Sequence, residues 1–360
     1  MLDCIVIGAG QAGLAVGYYL RKKGLNFVIL DAESGPGAAW RHTWPSLTLF
    51  SNSASSNLPG WPMPHHEGFP PASHVIDYFA RYEQRYELPI RRPVKVDEVD
   101  HDGACFHVFA GTEHLTARTV VAATGTWSAP FIPYYPGDFG GQQWHSAFYP
   151  GPEGFAGSTV AVVGAANSGA QIAAELLLSG VDTTWYTRNS PRWMPDDVDG
   201  RVLFQRNRAR LNAMMRGEPD PGADSNLGDI VMVPPVLRAR DSGLLQATPM
   251  FSSLEEVTAD HLIWCTGFRP ALRPIRRLLD GTSPIVDGLL LVGYGTWTGP
   301  GSATITGVSP FAKQTAHDVA NICDYSYRLV PANSTILPSR RECDTMWESW
   351  FIHVCLGSLR

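Results

Sequence analysis

Two glycine-rich stretches carry the strongest chemical signal in this sequence. Ile5-Val6-Ile7-Gly8-Ala9-Gly10-Gln11-Ala12-Gly13 follows an apolar N-terminal run and opens a helical pattern. Gly8 allows a tight turn, Gly10 lets the backbone approach a pyrophosphate, and Gly13 lets helix and strand pack closely. The helix start supplies partial positive charge beside Gln11 and Ala12. The next apolar run ends at Asp31, 18 residues after Gly13. A carboxylate there can accept hydrogen bonds from ribose hydroxyls. Glu33 is the alternative acid.

The second stretch, Val160-Ala161-Val162-Val163-Gly164-Ala165-Ala166-Asn167-Ser168-Gly169, repeats this design with Ala166 at the middle glycine position. The strand that should end in an acid reads Thr184-Trp185-Tyr186-Thr187-Arg188-Asn189, and Arg192 follows closely. A ribose 2′-phosphate would be repelled by an acid at that place and bound by an arginine. The second site therefore favours NADPH, with NADH as the lesser donor.

Both stretches need a strand before them and a helix after them. Residues 2–7 read as strand, 11–23 as helix and 26–31 as strand; residues 158–163, 167–179 and 181–187 repeat the pattern. Two βαβ units predict an α/β chain with two dinucleotide-binding, Rossmann-like domains. Between them, residues 40–72 are rich in Ser, Asn, Pro, Trp and His and read as one long loop. Residues 73–87 read as a helix with Val75, Phe79, Tyr82 and Tyr86 on one face. Strands are expected near 94–99, 104–109 and 118–123, then at 260–265 and 289–292, with a helix over 302–323. Residues 192–258 read as loop-rich, and nothing regular is expected from Asp324 onward.

Composition removes several classes of function. The formal net charge of −6 gives no bulk attraction to a polyanion, so no nucleic-acid partner is expected. Six scattered cysteines without a C-x-x-C pair suggest neither a disulfide framework nor a structural zinc site, and argue against a dithiol-based disulfide reductase. The adjacent His65 and His66 suit a loop, so no metal is expected. No apolar run reaches the ~18 residues of a membrane span, and no leader pattern is visible, which points to the cytoplasm.

Between the two loops runs Phe139-Gly140-Gly141-Gln142-Gln143-Trp144-His145-Ser146-Ala147-Phe148-Tyr149-Pro150. It resembles the F-x-G-x-x-x-H-x-x-x-Y motif of flavin-containing monooxygenases at every specified position. Pro59-Gly60-Trp61-Pro62-Met63-Pro64, Gly228–Pro235, Trp264–Pro270 and Gly293–Trp297 resemble segments of the short bacterial members. The resemblance covers roughly residues 2–323. It implies an FAD domain (1–152 and 264–323) interrupted by an NAD(P)H domain (153–263), followed by an unassigned tail (324–360). FAD would take the first loop and NADPH the second.

The same resemblance places Trp40 beside the flavin, Val96 near adenine, and the turns Thr124-Gly125 and Thr266-Gly267 where the chain passes between domains. Arg188-Asn189 stands where an Arg-Thr pair is common. An asparagine beside the flavin's reactive edge is replaced here by Phe50, with Asn52 two residues on, so that either Asn52 substitutes or the role is absent. His145 and Tyr149 would join the domains rather than act as acid and base.

The implied reaction starts with hydride transfer from NADPH to flavin. Oxygen then adds to give a flavin C4a-hydroperoxide, which passes one oxygen atom to a soft nucleophile, a thioether or amine, with ketones as a further class. The partners implied are a small-molecule substrate, O2 and a second copy of the chain, since the family often forms dimers. The competing readings are an NAD(P)H oxidase or quinone-type reductase on the same scaffold, and a non-enzymatic flavin-binding module.

Overall fold

The computed structural model describes residues 1–222 and 228–328. The chain opens with strand β1 (Leu2–Ile7), helix α1 (Gln11–Lys22), strand β2 (Phe27–Leu30) and, after a long irregular stretch, helix α2 (Ala72–Arg85). Strands β3 (Ile90–Arg91), β4 (Glu98–His101), β5 (Phe106–Ala110) and β6 (Glu113–Ala122) follow. A second set comprises β7 (Gln142–His145), β8 (Thr159–Val163), α3 (Asn167–Leu178), β9 (Asp182–Thr187), α4 (Gly200–Met215), α5 (Pro234–Asp241), β10 (Ala247–Pro249) and β11 (His261–Trp264). The chain returns through a small hairpin, β12 (Leu279–Asp280) and β13 (Ser283–Pro284), then β14 (Leu289–Leu291) and α6 (Ser309–Arg328).

These strands form two main sheets. The first has the order β3-β2-β1-β6-β5-β4, with β14 running parallel to the C-terminal half of β6. The second is parallel throughout, in the order β10-β9-β8-β11-β7. The first sheet thus draws on residues 2–122 and 289–291, and the second on residues 142–264. One is inserted into the other along the chain.

Alternation along the strands builds the cores. Cys4 and Val6 of β1 point into a cluster with Leu14 and Leu20 of α1, Val75 and Phe79 of α2, and Ala312 and Ala316 of α6. Ile5 and Ile7 face the opposite core, with Val28, Phe106 and Ile275. A strand covered on both faces must be apolar at every position, which explains the unbroken run Cys-Ile-Val-Ile. In β8, Val160 and Val162 pack on α3 and α5, while Ala161 and Val163 meet Phe251 and Trp264. Full burial of each valine, leucine, isoleucine or phenylalanine among them contributes about 1.5–3 kcal/mol.

The stretch expected as a long loop holds two short 3-10 turns, Ala38–His42 and Ser53–Ser55, and two isolated bridges, Thr48–Pro71 and Leu58–Trp61. Buried tyrosines of α2 hold it. Tyr78 accepts the Leu58 N–H (2.8 Å) and donates to the Trp61 carbonyl (2.6 Å), and Tyr82 donates to the Pro59 carbonyl (2.6 Å).

Several expectations need correction. The region 192–258 contains α4 and α5. Helix α4 buries only Gly200 and Ala213, so it shows no apolar stripe to read. Helix α5 starts with two prolines, which suggest a loop in sequence but cost little in a first helical turn, where N–H groups lack partners anyway. The last helix begins at Ser309 rather than 302, because Gly299 and Gly301 adopt left-handed φ values of +120° and +77°. Residues 94–97 are not strand; Val94 instead donates to the Asp31 carbonyl (2.7 Å). Beyond Arg328 the tail lies outside the described residues.

Candidate active site

At the first loop the three glycines have separate steric reasons. A Cβ on Gly13 would stand 1.9 Å from the Gly8 carbonyl oxygen, so only glycine lets α1 start this close to β1. Gly8 has φ +100°, and a Cβ there would lie 2.6 Å from the Ala123 oxygen. A Cβ on Gly10 would meet only Ala38 Cβ, at 3.5 Å. Nothing inside the fold demands glycine at position 10; the space in front of it does. No side chain caps the start of α1, so its first N–H groups stay available to an anion. A pyrophosphate fits this cradle.

The second loop repeats the geometry. A Cβ on Gly169 would lie 2.1 Å from the Gly164 oxygen, and one on Gly164 (φ +140°) would lie 2.4 Å from the Cys265 oxygen. Ala166 keeps an ordinary extended backbone, φ −113°, so its methyl group is tolerated, exposed in the place that Gly10 leaves open. Asn167 is not free to face a ligand with its carbonyl, because Oδ1 accepts the Val231 N–H (2.8 Å) and ties the segment 228–233 to the helix start. Trp185 braces the turn by donating to the Gly164 carbonyl (2.8 Å). Ser168 lies half-buried in the first turn of α3.

The acids after β2 differ in accessibility. Asp31 is 4% exposed and paired with Arg92 (Nε–Oδ2 2.5 Å), which also holds Glu83 through two bonds of 2.7 Å. Burial raises the Glu83 carboxyl, opposed by Arg92. Glu33 is more open and meets His42 (2.8 Å) and Arg41 (3.7 Å). After β9, Arg188 and Asn189 are exposed, and Arg188 forms no ion pair among the described residues. Arg192 lies 3.7 Å from Asp229.

The two loops are joined by the two crossing segments. Thr124 donates to the Ala271 carbonyl (2.8 Å) and shares a 2.7 Å bond with the Tyr294 hydroxyl. Thr266 donates to the Phe131 carbonyl (2.5 Å). Backbone bonds Ala271–Gly125, Arg269–Ala129 and Phe131–Gly267 zip the segments together, and Trp127 stacks on Phe268 at 5.1 Å. Each Thr-Gly turn follows the carbonyl that abuts its own glycine loop. Tyr294, Phe131 and Arg92 were not singled out in sequence as site residues; only the Gly-Tyr-Gly-Thr-Trp segment hinted at Tyr294.

His145 supports this ribbon. Its Nε2 donates to the Gly267 carbonyl (2.9 Å) and its Nδ1 accepts the Ala147 N–H (3.1 Å), and it is 3% exposed. Only the neutral Nε2–H tautomer satisfies both bonds. Burial holds the imidazole below its ordinary value, against the Gly267 bond, which raises it. The unfolded chain therefore binds this proton more readily, and its contribution to stability is present above about pH 6.5 and falls as pH drops towards the lowered folded value. His145→Gln is expected to flatten the fall in denaturation midpoint between neutral and mildly acidic pH. An unchanged slope would show that His145 does not carry it. Tyr149 is buried against Phe155 and Trp44, its phenol raised by burial and by Glu175.

The remaining candidates are dispersed. Trp40 packs on the first core and Val96 is buried in the second face of that sheet. Phe50 packs against Phe204 of α4 (6.5 Å), and its carbonyl accepts the Gly200 N–H (2.7 Å). Asn52 is exposed, and its Oδ1 caps the following turn by accepting the Ser55 N–H (3.0 Å). Gln11 donates to the Ala303 carbonyl (2.9 Å), and a Cβ on Gly293 would lie 2.5 Å from Ala12 Cβ, so the returning segment 293–303 presses on the first loop. The described cysteines are free thiols.

Two strand–loop–helix cradles in one chain, joined by a ribbon of Thr-Gly turns, define a two-dinucleotide oxidoreductase. Residues 5–283 match the pyridine nucleotide-disulphide oxidoreductase family, and the chain belongs to it and, within that fold, to the flavin-containing monooxygenases. A flavin-containing monooxygenase from Stenotrophomonas maltophilia is 44% identical, with a TM-score of 0.78, covering 89% of this chain and 99% of that one. A CzcO-like oxidoreductase from Geobacillus kaustophilus is 30% identical over 89% of this chain and 99% of its own length. The CzcO oxidoreductase of Bacillus subtilis is 31% identical over 86% and 96%. The chain is thus an NAD(P)H-dependent flavoprotein monooxygenase whose cofactors are FAD and NADPH. Among the described residues no helix is long and apolar enough to cross a membrane.

Proposed function

We propose that this flavoprotein transfers one oxygen atom from O2 to a soft nucleophile, a thioether or an amine, at the expense of NADPH. FAD would lie on the first loop, its pyrophosphate against Gly8, Gly10, Gln11, Ala12 and Gly13, with Glu33 or Asp31 towards ribose. Trp40, Val96, Thr124 and Gly125 would complete that site. NADPH would lie on Gly164, Ala166, Asn167, Ser168 and Gly169, with Arg188 and Asn189 at the 2′-phosphate and Thr266-Gly267 between the cofactors. Reduced by NADPH, the bound flavin supplies the activated oxygen; the protein orients both cofactors and keeps water away. The observation that carries this reading is the repeated cradle, followed after the second one by an exposed Arg188 that forms no ion pair among the described residues.

A second reading, an NADPH oxidase releasing hydrogen peroxide, draws support from one feature. Phe50, packed on α4, has no amide to offer, and Asn52, whose Oδ1 caps the following turn, is exposed, so no buried asparagine amide stands at position 50 to stabilise an oxygen intermediate. Incubation with methyl phenyl sulfide, NADPH and air separates the two. Sulfoxide in proportion to NADPH consumed is expected; peroxide alone would leave the oxidase.

A further inference from the structure

Far in sequence from both glycine loops, the β4–β5 hairpin at the edge of the first sheet gathers a different chemistry. One donor atom each from Asp102, Cys105 and His107 lies within 4.8 Å of the others. Asp102 Oδ1 accepts the N–H groups of Ala104 (2.8 Å) and Cys105 (2.9 Å), which turns the chain and brings the thiol back over the next strand. Asp102 Oδ2 lies 2.9 Å from His107 Nε2, and Cys105 Sγ lies 3.7 Å from the same nitrogen.

These spacings can be compared with a tetrahedral ion. Zn–S of about 2.3 Å and Zn–N or Zn–O of about 2.0 Å put sulfur and nitrogen about 3.6 Å apart and oxygen and nitrogen about 3.3 Å apart. The Cys105–His107 pair already has that separation. The Asp102–His107 pair needs to open by about 0.4 Å, and Asp102 and Cys105, within 4.8 Å of each other, need to settle at about 3.5 Å, both within reach of an exposed carboxylate and a half-exposed thiol.

The other face of the imidazole is also arranged. His107 Nδ1 lies 2.9 Å from His114 Nε2, the two rings stack at 5.1 Å, and His114 lies flat on Phe109 at 4.8 Å. With an ion on Nε2, the Nδ1–H of His107 donates to His114, the outer-shell contact that orients a ligating histidine. A thiolate and an imidazole beside one carboxylate suit a zinc-like ion rather than magnesium or calcium. We propose that Asp102, Cys105 and His107 bind one zinc-like divalent cation at the tip of this hairpin, leaving a fourth position to water, with His114 orienting His107. Binding exchanges the thiol proton for the ion and involves no electron transfer.

The test uses metal-free full-length holoenzyme titrated with Co2+, followed by visible absorption at wavelengths longer than the flavin bands. One tightly held Co2+ per chain is expected, displaced by Zn2+ and not by Mg2+. Cys105→Ser and His107→Gln should each weaken binding at least about tenfold, and His114→Gln by about 10- to 100-fold. Flavin content and NADPH consumption in these variants should stay at the wild-type level, which shows that they fold. Absence of saturable binding, or binding undiminished in Cys105→Ser, would overturn the proposal.

Discussion

A Gly13→Ala protein is expected to emerge colourless, without FAD. Alanine inside a helix normally gains about 1 kcal/mol over glycine. Here its methyl carbon would be placed 1.9 Å from the Gly8 carbonyl oxygen, a backbone atom that cannot rotate away. Helix α1 must then retreat from β1, and overpacking of this kind costs about 1–3 kcal/mol or more. The clash outweighs the propensity, and the retreat also moves the N–H groups that would hold the pyrophosphate. Gly10→Ala makes the instructive contrast. Its methyl meets only Ala38 Cβ at 3.5 Å, so the apoprotein should unfold at nearly the wild-type temperature while FAD affinity drops. Flavin content and thermal midpoint measured together check both. Stoichiometric FAD in Gly13→Ala would show that the first loop is not the flavin cradle.

The second large effect concerns Arg188. Arg188→Ala should raise the KM for NADPH by about 10- to 150-fold, as expected when a charged hydrogen bond of about 1.5–3 kcal/mol is lost. The KM for NADH should hardly change. Because Arg188 is exposed and forms no ion pair among the described residues, its removal breaks no internal contact that would affect both donors. Steady-state kinetics with both nucleotides give the answer. An equal loss for both would separate Arg188 from the phosphate.

Much of this was legible because glycine requirements and strand alternation are local. The turn at Gly8–Gly13 and its repeat at Gly164–Gly169 follow from short-range sterics, and the buried runs of β1 and β8 follow from burial on two faces. Other features were not legible because they arise from distant parts of the chain. Nothing near Asp31 in sequence reveals that Arg92 reaches its carboxylate, which makes Glu33 the more accessible acid. Strand β7 hides inside the Phe139–Tyr149 motif, since Gln142-Gln143-Trp144-His145 has no apolar alternation and is paired only because β11 lies beside it. Helix α4 escaped for a related reason: a helix with two buried residues leaves no periodic trace. The Asp102–His107 cluster was missed because its three donors sit on a hairpin turn, without the paired cysteines by which zinc sites are usually read.

Turnover depends on a nucleotide at the second loop delivering a hydride to a flavin at the first. The direct test is to mix purified protein with NADPH in the absence of oxygen and follow the visible absorption of the flavin. The yellow colour is expected to be lost at a rate that saturates with NADPH, and Arg188→Ala is expected to shift this saturation to higher NADPH concentration. A flavin that stays oxidised under excess NADPH, or a polypeptide that cannot be loaded with FAD, would contradict it.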